Sequence, residues 1–230
     1  MSVPGRPLRI ESLRDTGRDG TVARLIGLPA EVRALHRAVL DIFLTTGHAP
    51  HLDDLPPGDG LDRIEALRRL SEVDLVHLGS AGRVVVAYPF SARATGHTVR
   101  FADGPILHAM CAIDALGIPL MTRRDAVIES VDPRTGQPIR VEHCCETWRW
   151  TPADTAVLLA HTARDGSAAA CLCPTITFHT SRCEAEQHLA RHPKLAGEVL
   201  DQPSAVEIAR HSFAALLDHE APPRSPRRNQ

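Results

Sequence analysis

An acidic residue lies close to a cysteine within an almost entirely apolar stretch of the sequence. Asp114 follows Cys111 by three residues in "ADGPILHAMCAIDALGIPL", where nearly all other residues are small or aliphatic. Residues three apart on a helix lie on nearly the same face. A buried carboxyl group that lacks a partner is costly unless it takes up a proton. The sequence therefore predicts that Asp114 is either paired or held protonated beside the thiol of Cys111.

The cysteines of the chain do not follow the spacing of a structural zinc site. There are six of them: Cys111, Cys144, Cys145, Cys171, Cys173 and Cys183. No C-x-x-C pair is present, and neither "HCCE" nor "CLC" matches the paired ligands of zinc fingers. Disulfides are not expected in a reducing compartment, which favours thiol chemistry or a soft metal at an open site. We expect Cys183, at a predicted helix start, to be an exposed bystander.

The adjacent residues Cys144 and Cys145, which follow His143, allow two interpretations. In the first interpretation, their thiols are accessory metal ligands that either form a second soft-metal site or pass metal onward. In the second, they lie on a strand, where adjacent side chains point to opposite faces, so that one is buried and one exposed.

The first part of the chain predicts two helices and a hairpin. Apolar residues at helical spacing predict a helix within residues 28–47, ended by Gly47, and a second helix from residue 61. Two short strands joined by a Gly/Ser turn follow, up to residue 90. Together they predict a winged-helix-like module over residues 21–90. Its second helix mixes Arg with Asp and Glu instead of presenting a basic face, so a structural role is favoured over DNA binding.

The second part predicts an α+β domain with a mixed or antiparallel sheet over residues 91–218. The expected elements are a strand at 97–103, a buried helix at 105–121, a hairpin over 125–143 that turns at "DPRTGQP", strands at 154–162 and 168–181, and helices at 183–193 and 203–218. Residues 1–20 are predicted to be a flexible lead-in, and residues 219–230 a disordered tail.

Composition narrows the class of protein further. The chain has 230 residues, 43% of them hydrophobic, and a formal net charge of −2, so it can bury a core and carries no strong field for nucleic acid or a membrane surface. No stretch approaches the roughly 20 apolar residues of a membrane span, and the first residues lack a signal-peptide core. We therefore expect a cytoplasmic protein that binds neither nucleic acid nor membrane.

Two segments resemble the motifs of organomercurial (alkylmercury) lyases. "FADGPILHAMCAIDAL" is similar to the segment that holds the family's first catalytic cysteine and its aspartate. "CPTITFHTSRCEAEQHLARHP" is similar to the segment that holds the second catalytic cysteine. The resemblance covers most of residues 25–215. It implies the compact mixed fold of these lyases, preceded by the winged-helix-like module.

The resemblance implies catalytic roles for Cys111, Asp114 and Cys173. Thiolates suit a soft ion such as Hg(II), so the two cysteines would bind the mercury of the substrate. Asp114, also at the metal, would take a proton from a cysteine and give it to the departing carbon. Cys171 would face the same side of a strand as Cys173 and would be an accessory thiol or a core residue. Pro174 stands where some family members have a further cysteine.

The implied reaction is protonolysis of the carbon–mercury bond of a small organomercurial, which gives a hydrocarbon and Hg(II). No cofactor is implied, since Hg(II) is bound as substrate or product, and cellular thiols or a mercuric reductase would accept it. Two alternatives stay open: a non-catalytic protein that binds or senses Hg, Cu or Zn, and a relative redirected to other chemistry. Asp114 argues against the first alternative, because a thiolate chelator needs no buried acid.

Overall fold

The computed structural model, which describes residues 21–56, 62–79, 82–162 and 168–218, consists of helices and antiparallel strands. The lead-in predicted for 1–20 and the tail predicted for 219–230 lie outside the described residues. The helices are α1 (Thr21–Arg24), α2 (Ala30–Thr46), α3 (Arg63–Glu72), α4 (Ala112–Thr122), α5 (Ala168–Cys171), α6 (Arg182–Arg191) and α7 (Gln202–Phe213). Short 3-10 turns span Leu52–Asp54 and Cys173–Thr175.

Within the described residues, the strands form three antiparallel sheets. They are β1 (Val76–Leu78), β2 (Val84–Ala87), β3 (Phe90–Ser91), β4 (His97–Phe101), β5 (Ile106–His108), β6 (Ala126–Val131), β7 (Pro138–Cys144), β8 (Thr147–Thr151), β9 (Ala156–Thr162), β10 (Ile176–His179) and β11 (Leu195–Leu200). Their orders are β1-β2-β3, β5-β4-β6-β7-β8 and β10-β9-β11. The predicted α+β class with antiparallel pairing is confirmed.

The N-terminal elements follow the predicted order of two helices and a hairpin. Helix α2 ends at Gly47, whose φ of 75° is left-handed and whose N–H donates to the Phe43 carbonyl. On α3, Arg68 pairs with Glu65 and Glu72, so the helix presents neutralised charge and no basic face. The assignment of these elements to a winged-helix module, and the boundary at residue 90, stay predictions.

One continuous hydrophobic core joins the N-terminal elements to the rest of the chain, with buried residues from Leu25 to Leu216. Helix α4 lies at its centre, with every residue from Ala112 to Met121 buried. Helix α7 packs directly on α4 at Gly117, where an added Cβ would lie 2.3 Å from the ring of Phe213. This close approach helps to position α4, whose N-cap residue is Cys111. Among the described residues, no helix is both long and apolar enough to cross a bilayer.

Two predicted elements are wrong in part. The segment 105–121, predicted as one helix, begins as strand β5, because its first residues pair with β4. The segment 168–181, predicted as one strand, is strand only from Ile176 to His179. Its start is helical, since consecutive alanines favour a helix and Pro174 favours the first turn of the 3-10 segment. Strands β3, β8 and β11 were not predicted.

Candidate active site

The first thiol sits immediately before helix α4, not within it. Cys111 is the N-cap residue, with an extended backbone (φ −154°), and its Sγ accepts the backbone N–H of Asp114 at 3.4 Å. The spacing predicted that these residues share a helical face, and the capping contact brings them together instead. The positive end of a helix favours a thiolate, so this placement suits a sulfur that must lose its proton.

The second thiol reaches the same point from a distant part of the chain. Cys173 opens the 3-10 turn between α5 and β10, and its Sγ–H donates to Asp114 Oδ2 at 3.8 Å. The two sulfur atoms and a carboxylate oxygen lie within 4.8 Å of one another. Cys111, Asp114 and Cys173 are 2%, 4% and 5% exposed. The three residues to which the sequence pointed therefore form one buried cluster.

Burial sets the protonation of this cluster. It raises the pKa of Asp114 to about 7, against the hydrogen bonds with Cys111 and Cys173 and the charge of Arg24. It also raises the pKa of Cys111 well above its ordinary value. For Cys173, the hydrogen bond with Cys111 lowers the pKa, but burial and the Asp114 charge together leave it raised. Without a metal the thiols keep their protons, and Asp114 exchanges a proton near neutral pH.

A small cavity of about 100 Å³ opens onto the cluster. Arg24 and Tyr88 line it beside mostly apolar side chains. The Tyr88 hydroxyl interacts with the Cys173 sulfur and favours its thiolate form. The same hydroxyl lies 3.2 Å from His77 Nε2. Sequence reasoning missed both lining residues. Tyr88 is the only tyrosine of the chain, but no spacing relates it to the cysteines.

Asp74 joins three elements around this cavity. Its carboxylate lies 3.0 Å from Arg24 Nη1 and 2.9 Å from His77 Nε2, and it accepts the N–H of Ala168 at 3.2 Å. Arg24 also donates to the Asp74 carbonyl at 2.7 Å. Asp74 thereby ties α1 and the start of α5 to the loop before β1, and positions the Arg24 side chain at the cavity.

Cys144, Cys145 and Cys183 lie outside the buried cluster. Cys144 and Cys145 are both exposed, so the prediction that one is buried is wrong. Strand β7 ends at Cys144, and Cys145 lies in a turn with a φ of 51°, where the alternation of a strand no longer applies. Cys171 belongs to helix α5, so the strand relation predicted between it and Cys173 is also wrong. Cys183 is exposed on α6, as expected.

Two buried thiols beside a protonatable carboxyl group, at a small apolar cavity, define a site suited to a soft metal and a proton transfer. The model of the alkylmercury lyase (MerB) family matches residues 90–214, which include all three residues. The alkylmercury lyases of Bacillus cereus and Clostridium butyricum are each 30% identical over 177 residues, which is 76% of this chain and 79% of theirs. The chain belongs to the alkylmercury lyase family.

A third alkylmercury lyase and one solved structure are also similar to this chain. The alkylmercury lyase of Staphylococcus epidermidis (strain ATCC 12228 / FDA PCI 1200) is 28% identical over 170 residues, covering 74% of this chain and 77% of its own. The crystal structure of the mercury-bound form of MerB2 has a TM-score of 0.71 and 22% identity, and covers 88% of this chain and 99% of its own. At that identity the likeness shows a shared fold.

Proposed function

We propose that this protein cleaves the carbon–mercury bond of small organomercurials by protonolysis, giving a hydrocarbon and Hg(II). The observation that carries the proposal is the buried cluster of Cys111, Asp114 and Cys173, whose ligand atoms lie within 4.8 Å of one another beside a cavity of about 100 Å³. Membership of the alkylmercury lyase family supports it.

The first step is ligand exchange at mercury. The substrate arrives as R–Hg–SR′, and one active-site thiol replaces R′S⁻, its proton leaving with R′SH. The second thiol then gives its proton to Asp114, and the resulting thiolate adds to the same mercury. Two thiolates suit this soft ion better than oxygen or nitrogen ligands do, and their electron density weakens the carbon–mercury bond.

The second step is proton transfer to carbon. Asp114, now a carboxylic acid, protonates the carbon as the carbon–mercury bond breaks, and the electron pair of that bond forms the new C–H bond. The sum is R–Hg–SR′ + 2 Cys–SH → R–H + Hg(S–Cys)₂ + R′SH. Burial supports this role, because it raises the pKa of Asp114 to about 7 and so keeps the acid form accessible near neutral pH.

The product Hg(II) must then dissociate from the two thiolates. No further cofactor enters this reaction, since mercury is itself the substrate metal. Cellular thiols or a mercuric reductase would remove Hg(II), in a cytoplasm where thiols are kept reduced.

The direct test is hydrocarbon release. Purified protein is incubated with methylmercury or phenylmercury and excess monothiol, and methane or benzene is measured by gas chromatography. The proposal expects catalytic release by the wild type and none by Cys173→Ser. Binding of the organomercurial without hydrocarbon release would instead support a non-catalytic soft-metal protein.

A further inference from the structure

We propose that Cys144 and Cys145, with Asp125, form a second, solvent-facing site that chelates Hg(II). The two Sγ atoms lie 3.6 Å apart, and Cys144 Sγ lies 3.4 Å from Asp125 Oδ2. All three ligand atoms lie within 4.8 Å of one another, and all three residues are exposed. This inference rests on the proposed function only in that Hg(II) is the product of the reaction.

The turn between β7 and β8 is what brings the two thiols together. Cys144 pairs with Thr147, so Cys145 and Glu146 form a two-residue hairpin turn with φ values of 51° and 63°. Such turns favour Asn-Gly, because both central residues need positive φ. With Cys145 in that conformation, both thiols reach Asp125, whereas adjacent side chains of a regular strand would diverge.

Asp125, the residue immediately before β6, fixes this arrangement. Its Oδ1 accepts the backbone N–H of Cys145 at 2.9 Å, while its Oδ2 faces the Cys144 thiol. The hydrogen bond from the Cys145 N–H lowers the pKa of Asp125 most, and the hydrogen bond from the Cys144 thiol lowers it further. Asp125 is therefore a carboxylate at neutral pH. The cluster therefore offers two sulfur ligands and one negative charge.

The two thiols favour a soft metal ion that needs only two sulfur ligands. Hydrogen bonding to Cys145 and to Asp125 raises the pKa of Cys144 to about 11, so this thiol is protonated when free. Binding follows 2 Cys–SH + Hg²⁺ → Hg(S–Cys)₂ + 2 H⁺, with both protons leaving to solvent. Structural zinc takes four ligands, and His143 does not supply the fourth, since it is buried on the opposite face of β7 from Cys144.

The proposed site is separate from the catalytic cluster. Cys144 faces the exposed side of β7 with Arg140 and Glu142, whereas Val141 and His143 face the core. It borders a broad surface groove that shares no lining residue with the catalytic cavity. An ion held there faces solvent, while the buried cluster is free for another substrate.

The test counts bound Hg(II). Full-length protein is loaded with mercuric chloride and dialysed against a monothiol, which removes singly bound ions, and the retained mercury is measured. We expect two equivalents on the wild type and on the exposed-thiol control Cys183→Ser, and one on the double variant Cys144→Ser/Cys145→Ser. Two equivalents on that double variant, or one on the wild type, would overturn the inference.

A second variant isolates the site. Cys111→Ser/Cys173→Ser should retain one equivalent, and X-ray absorption at the mercury edge should show two sulfur ligands; no retained mercury, or fewer than two sulfur ligands, would contradict the site. Circular dichroism checks that each variant is folded. Hydrocarbon release on the same wild-type preparation separates the two proposals: two retained ions without release would refute the lyase reaction only, and release with one retained ion would refute the surface site only.

Discussion

The Cys173 thiol donates to the Asp114 carboxylate at 3.8 Å, although 59 residues separate them in the sequence. The backbone N–H of Asp114 also donates to Cys111 Sγ at 3.4 Å. Asp114 is thus in contact with both sulfur atoms, that of Cys111 at the start of α4 and that of Cys173 in the turn before β10. This is the arrangement that a proton shuttle between a metal-binding thiol and a departing carbon requires.

Each active-site thiol should be indispensable for cleavage. Cys111→Ser and Cys173→Ser each leave mercury with a single thiolate, so the carbon–mercury bond is no longer weakened by a second sulfur ligand. We expect hydrocarbon release to be lost in both, with unchanged circular dichroism. Cys183→Ser is the matched control, because this thiol is exposed on α6, and it should keep wild-type release. Retained turnover in Cys173→Ser would reverse the assignment.

Tyr88 should assist the reaction without being essential. Its hydroxyl favours the Cys173 thiolate, and a hydrogen bond to a charged group contributes roughly 1.5–3 kcal/mol. Tyr88→Phe should therefore slow single-turnover cleavage by about tenfold or more, since 1.36 kcal/mol corresponds to a factor of ten. The measurement is rapid-quench hydrocarbon release at saturating substrate. An unchanged rate would remove Tyr88 from the account.

Gly117→Ala should destabilise the fold through one contact. An added Cβ would lie 2.3 Å from Phe213 Cδ2, so α7 must move away from α4. Overpacking costs roughly 1–3 kcal/mol, and at such a separation we expect it to outweigh the gain of up to about 1 kcal/mol from replacing glycine in a helix. Thermal denaturation should show a lower Tm. Gly96→Ala, where nothing lies within 4 Å of the added Cβ, should leave Tm nearly unchanged. Equal Tm values would contradict the packing argument.

Mild acid should destabilise the protein through buried histidines. Burial lowers the pKa of both His97 and His179 from 6.5 to about 4, with Asp132 opposing the shift at His179. Between these values the two histidines bind more protons in the unfolded chain than in the folded one, so they lower stability as pH drops from about 6.5 towards 4, against the opposing gain from Asp114, whose pKa burial raises to about 7. Urea denaturation at pH 7 and pH 5 measures this fall. It should be smaller in His97→Asn than in the wild type or the exposed-site control His48→Asn, and an equal fall in all three would contradict the argument.

Local features were predictable where short-range spacing decides them. Gly47 ends α2 because only its left-handed backbone allows the stop, and the apolar run of α4 is buried as its composition indicates. The proximity of Cys111 and Asp114 follows from their separation of three residues. The resemblance to the lyases supplied Cys173, whose position depends on packing of α5 and the 3-10 turn over the core, which no local spacing encodes.

Other features depend on long-range contacts and were missed. Strand β5 forms because β4 is there to pair with it, which overrides the helical pattern that follows. Arg24 reaches the cavity because Asp74, fifty residues away, accepts its hydrogen bonds. Cys145 leaves the strand alternation because of its positive φ, which nothing in "HCCE" indicates.

The fate of an organomercurial bound to Asp114→Asn tests whether Asp114 shuttles the proton. The amide keeps the shape of the side chain but cannot carry the proton, and general acid catalysis contributes about 100- to 10,000-fold. We expect the variant to bind phenylmercury through Cys111 and Cys173. Native mass spectrometry should show an adduct that retains the phenyl group, while benzene release falls at least 100-fold. Benzene release at the wild-type rate, with only Hg(II) left on the protein, would contradict the proton-shuttle role of Asp114.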